Sequence, residues 1–71
     1  MELYYKQRLV SIYGNTFEND DTVKVVYNDV YDGISIVEGK LYFTNNRTIM
    51  VSTEDDNYGI HVSNIISMEH L

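Results

Sequence analysis

From Thr22 onward, apolar and polar positions alternate in short runs separated by turn residues. Val23, Val25 and Tyr27 fall on one side of such a run, and Lys24, Val26 and Asn28 on the other. A period of two with one apolar side predicts a strand with one buried face. Asn28-Asp29 and Asp32-Gly33 supply turn or bulge residues, and Ile34-Ser35-Ile36 reads as a second short strand. Glu38-Gly39 suits a tight turn because glycine accepts positive φ. Leu41 to Thr44 then forms a third strand. A second reading makes Ile34 to Phe43 one long bent strand with a bulge at Gly39, the device by which small barrels close. Asn45-Asn46 is a two-residue hairpin signal. Arg47 to Thr53 is a fourth strand with Ile49 and Val51 on one face. Glu54 to Asn57 is a polar turn, Tyr58 to Val62 a fifth strand, Ser63-Asn64 a break, and Ile65 to Met68 the last strand.

The first 14 residues fit two patterns. Tyr5, Leu9 and Ile12 sit at helical spacing, with Gly14-Asn15 as a stop. Arg8, Val10 and Ile12 also alternate with Leu9, Ser11 and Tyr13, and the Tyr, Val and Ile content tilts the reading to a strand. Asn15 to Asp21 reads as a polar loop.

Composition agrees with the pattern. Val, Ile, Thr, Tyr and Phe total 29 of 71 residues, against four Leu and no Ala, so propensity favours strands over helices. The expected fold is mostly β. It is a small, strongly bent antiparallel sheet, or a five- to six-stranded partly open barrel, with a short N-terminal helix as the variant. Residues 1–71 form a single small domain. A core of this size is marginal without help. With no Cys in the chain, disulfides and thiolate zinc sites are excluded as that help.

The run Gly33-Ile34-Ser35-Ile36-Val37-Glu38-Gly39-Lys40-Leu41-Tyr42-Phe43 resembles the bent second strand of a Src-homology-3-like or Sm-like small barrel. The tail from Tyr58 to Met68 is similar to their ending, where a strand, a tight turn and a short final strand close the barrel. The resemblance spans roughly residues 22–70 and rests on strands and turns. It implies about five strongly bent strands. It transfers no functional residue, because the chain has no Trp, no basic nucleotide-binding loop and no ordered groove motif.

Charge narrows the function. Eleven acidic residues face five basic ones, for a net charge of −6. Nucleic-acid binders carry the opposite balance, so direct binding to nucleic acid or to an anionic membrane is disfavoured and basic partners are favoured. Residues 15–39 hold six acids against Lys24 alone. The opening, Met1 to Arg8, lacks the apolar core of a signal peptide, and no window approaches the ~20 apolar residues of a membrane span. The expected setting is cytoplasmic. Abundant Asn, Ile and Tyr, seven of each, fit AT-rich codons and hence a low-GC bacterium or its phage.

Catalytic and metal chemistry find little support. His61 and His70 lack a surrounding nucleophile signature, although Ser63 and Ser67 are close in sequence. Asn28 to Gly33 only faintly resembles a calcium loop, and the twelfth position, Gly39, is not the required Glu. Glycines 14, 33, 39 and 59 form no phosphate loop. The expectation is therefore no enzyme, no cofactor and no metal.

The remaining features are acids and tyrosines. Glu18, Asp20 and Asp21, then Asp29 and Asp32 with Tyr31, form the expected partner-binding set; Glu54, Asp55 and Asp56 form a second patch. Tyr27, Tyr31 and Tyr58 are the tyrosines expected at the surface, because acids or turns flank them, and tyrosine is enriched at interfaces. Carboxylates on alternate strand residues would stand roughly 6.6–6.8 Å apart, near the spacing of phosphates. These features suggest an acidic inhibitor that blocks a basic surface of a nucleic-acid enzyme. Phage anti-defence proteins, anti-CRISPR proteins included, are similar in size, acidity and composition. The alternative is an Sm-like oligomeric structural or RNA-associated barrel, in which Lys6, Arg8, Lys40 and Arg47 converge on one face.

Overall fold

The alternating segments pair into two antiparallel sheets. The computed structural model describes residues 15–44 and 47–71 in full, and the backbone alone of 2–4 and 8–10. The strands are β1 (Glu2–Tyr4), β2 (Arg8–Val10), β3 (Thr16–Glu18), β4 (Thr22–Asp29), β5 (Gly33–Phe43), β6 (Thr48–Ser52), β7 (Asn57–His61) and β8 (Ile65–His70). A single 3-10 turn, Val62–Asn64, joins the last two. β1, β2 and β3 form a three-stranded sheet. The other five run in the order β7-β6-β5-β4-β8, and that sheet is not closed. The fold is mostly β, as the alternation predicts. Among the described residues there is no α-helix, and none that is long and apolar enough to cross a membrane.

The buried face of β4 is Val23, Val25 and Tyr27, and that of β6 is Ile49 and Val51. Val37 and Leu41 of β5, Ile60 of β7 and Met68 of β8 complete this side of the core, with Phe17 of β3 packed into it. Each such side chain withdrawn from water contributes about 1.5–3 kcal/mol.

Several expectations are corrected. Asn15 to Asp21 is not a polar loop throughout: its centre is β3, and Phe17 is fully buried there. The neighbours Thr16 and Glu18 are polar because they point outward, so a one-residue apolar signal stood for a whole strand. Tyr27 is not a surface tyrosine but belongs to the core at 8% exposure, because its position on β4 continues the Val23, Val25 face. The helical reading of the N-terminus gives way to strands at 2–4 and 8–10; its stop at Gly14 lies outside the described residues, as does the Asn45-Asn46 hairpin.

Residues 33–43 form one long strand, with no turn at Glu38-Gly39. Nor is Gly39 a bulge, since β5 pairs one-to-one with β4 from Gly33 to Lys40. Its role is close approach. A Cβ on Gly39 would collide with the Ser52 carbonyl oxygen. The irregularity in the sheet is elsewhere: β8 slips against β4 between Val26 and Tyr27.

Candidate functional site

β5 changes partners along its length. Its N-terminal part pairs with β4, but it meets β6 only from Lys40 to Phe43. Below Lys40 the two strands part, and a groove of about 530 Å³ opens between β5 and the β6–β7 hairpin. Ser35 to Glu38 form one wall, and Thr53, Asp55 and Tyr58 the other. Tyr27, Asp29 and Asp32 complete the lining. Four carboxylates, those of Asp29, Asp32, Glu38 and Asp55, therefore surround one concavity, and among the described residues no Lys or Arg lines it.

Local structure places each acid. Asp29 ends β4, and its Oδ1 accepts hydrogen bonds from the Tyr31 N–H (2.8 Å) and the Asp32 N–H (3.3 Å). This Asx turn reverses the chain, and Gly33 completes it at φ +74°. Tyr31 at the tip is 93% exposed. Thr53 organises the opposite hairpin: its Oγ1 accepts from the Asp55 and Asp56 N–H groups and donates to the Asp56 carbonyl. Asp55 lies in this turn and lines the groove. Asp56 caps the start of β7 by accepting the Asn57 N–H at 2.9 Å.

The field of these acids reaches Tyr27. Burial first, then the charge of Asp29, Tyr58 and the charge of Asp32 push its hydroxyl above the ordinary tyrosine value of 10.0. A phenolate here would face carboxylates from a partly dry position, so the neutral form is favoured.

The sequence-expected acids thus divide. Asp29, Asp32 and Asp55 share the groove, which joins the two patches into one. Glu54 lines the adjoining hollow, together with Lys40. Glu18, Asp20 and Asp21 sit at the other end of β4, seven residues or roughly 23 Å of strand away, and build the β3–β4 corner. There Asp21 Oδ2 accepts the Glu18 N–H at 2.8 Å. Asp20 adopts φ +74° and hydrogen-bonds the Tyr42 hydroxyl, which, with some desolvation and the Asp20 charge, raises the Tyr42 pKa. Glu38, assigned to a turn in the sequence reading, is the added groove acid.

No strand among the described residues carries acids at alternate positions, so a carboxylate ladder spaced like phosphates is absent there. Lys40 pairs opposite Ser52, whereas Arg47 precedes the other end of β6. The two stand apart and do not form one basic face; Lys6 and the Arg8 side chain lie outside the described residues. His61 Nδ1 accepts the Ser63 N–H (3.2 Å) and lies 2.7 Å from Ser63 Oγ, a cap on the exposed 3-10 turn. Among the described residues, no three His, Cys, Asp or Glu side chains are grouped to hold a metal ion. Compared with known protein families, curated proteins and solved structures, the chain matches none.

Proposed function

We propose that the chain is a protein-binding module whose site is the acid-rimmed groove between β5 and the β6–β7 hairpin, and whose partner presents a basic surface. One observation carries this reading: carboxylates from three separate elements surround a single concavity that has tyrosine on its walls and, among the described residues, no Lys or Arg in its lining. Like charges gathered around a concave surface focus the field and steer cations toward it. Tyr58 and the exposed tip residue Tyr31 add rigid contact area at low entropic cost. Nucleic-acid enzymes expose basic surfaces of this kind, so an inhibitor of such an enzyme remains the favoured role. The strand order β7-β6-β5-β4-β8, the long β5 shared between β4 and β6, and the 3-10 turn before the final strand support the likeness to Src-homology-3-like and Sm-like barrels.

The test is capture by the tagged protein from nuclease-treated lysate of a low-GC bacterium at low and high salt. A stoichiometric basic protein released by salt supports the reading. Partners that ignore salt contradict it.

A second reading has its own observation. β7 and β8 end the five-stranded sheet, and among the described residues each pairs with a strand on one side only. Edge pairing between copies would close a ring. Light scattering distinguishes this case: a mass near a multiple of 8.3 kDa supports the ring, and the monomer mass excludes it.

A further inference from the structure

The backbone of β5 supplies a feature that charge alone does not. The Leu41 N–H donates to the Asp21 carbonyl (2.9 Å), and the Leu41 carbonyl accepts the Asp20 N–H (2.8 Å). The Phe43 N–H donates to Asn19 Oδ1 at 2.9 Å. Odd-numbered residues of β5 therefore direct their backbone groups toward the β3–β4 side. N–H and C=O groups alternate along an antiparallel strand, and the register from Gly33 to Lys40 has no slip. Even-numbered residues accordingly face the opposite edge. At Lys40 and Tyr42 that edge is occupied by β6. At Ile34, Ile36 and Glu38 no strand of the described residues pairs there. The Ile36 and Glu38 backbone thus edges the very groove that the four carboxylates surround.

An unpaired strand edge is a template for another strand. We infer that the groove takes an extended basic polypeptide segment, which adds to β5 as a strand along Ile34 to Glu38. This deepens the reading of the groove as the partner site and rests on it. Main-chain hydrogen bonds to Ile36 and Glu38 provide the affinity. Lysine or arginine side chains of the segment meet Asp29, Asp32, Glu38 and Asp55, and the side chains between them pack toward Tyr27 and Tyr58. An acidic segment is repelled by the same four groups, so the charge of the occupant is specified as well as its conformation.

The probe is a blocked seven-residue peptide of alternating lysine and valine. Its controls are the glutamate counterpart and the lysine peptide with every amide N-methylated. Amide hydrogen exchange of the whole protein is followed by NMR. At peptide saturation, exchange at Ile36 and Glu38 should slow roughly tenfold or more, as expected for newly bonded edge amides. Neither control peptide should produce this. Shifts at the Asp32 and Asp55 side chains with unchanged Ile36 and Glu38 exchange would overturn strand addition and leave the acidic groove standing as a site. No response to any peptide would also overturn strand addition, while the salt-resolved capture decides the groove reading separately.

Discussion

The ring of Phe17 stacks on His70, with centroids 4.4 Å apart and planes inclined by 22°. The two residues are 53 positions apart in the chain, on β3 and β8. His70 Nε2 also lies 3.0 Å from the Thr16 carbonyl, which can only accept, so this nitrogen carries the proton. The contact ties the three-stranded sheet to the edge of the five-stranded one. His70→Ala should destabilise the fold by about 1–2 kcal/mol through loss of the stack and the bond. Phe17→Ala should cost about 3–5 kcal/mol, a large share of a small domain's stability. Urea unfolding followed by tyrosine fluorescence measures both.

Gly39 and Gly59 make a matched pair of opposite outcome. A methyl on Gly39 meets the Ser52 carbonyl oxygen, whereas nothing lies within 4 Å of one on Gly59. Gly39→Ala should cost about 2 kcal/mol or more, since backbone must shift. Gly59→Ala should be neutral within about 0.5 kcal/mol. Thermal unfolding of the two variants side by side checks the close approach of β5 to Ser52.

Proline substitution tests the direction of the β5 backbone. Ile36→Pro removes an N–H from the unpaired edge, where proline is tolerated. Val37→Pro removes one from the β4 ladder and should cost about 3 kcal/mol or more. Equal damage from the two would show that the open edge has been assigned to the wrong residues.

Alkaline titration reads the field in the groove. The folded pKa of Tyr27 lies above 10.0, so the unfolded chain releases that proton first as pH rises. The Tyr27 contribution to stability is complete below about pH 10 and is lost as pH climbs through the raised folded value. Phenolate absorbance should show Tyr27 and Tyr42 ionising above the ordinary tyrosine value. Tyr27→Phe should remove one late ionisation and flatten the alkaline fall in stability, and Asp20→Ala should move the Tyr42 ionisation earlier.

Much of the fold was legible because strand burial writes itself as alternation. Val23, Val25 and Tyr27, or Ile49 and Val51, declare a buried face from their spacing alone. Phe17 does not, since one apolar residue between two polar ones has no period; its burial comes from core residues far away in sequence, with His70 stacked on its ring. The groove was hidden for a related reason. Asp29, Asp32 and Asp55 were visible as acids, but their meeting depends on where β5 leaves β6. That parting falls next to Gly39, which lies close to the Ser52 carbonyl, and no local pattern announces it. Tyr27 has polar neighbours that point to the surface, but the strand period carries it inward.

Asp29 is a poor site for a charge-reversal test, because its carboxylate also holds the Asx turn. Asp55 has no such duty in its side chain, so it offers the most direct measurement. The captured basic partner would be titrated against wild type, Asp55→Lys and Glu69→Lys. The last two change net charge equally, but Glu69 lies on the outer face beside Lys24, at 3.9 Å. An acid-rimmed groove predicts that Asp55→Lys weakens binding roughly tenfold or more, on the scale of a lost charge contact, while Glu69→Lys leaves it nearly unchanged. Equal weakening by the two would mean that overall acidity attracts the partner, and the groove would lose its claim to be the site.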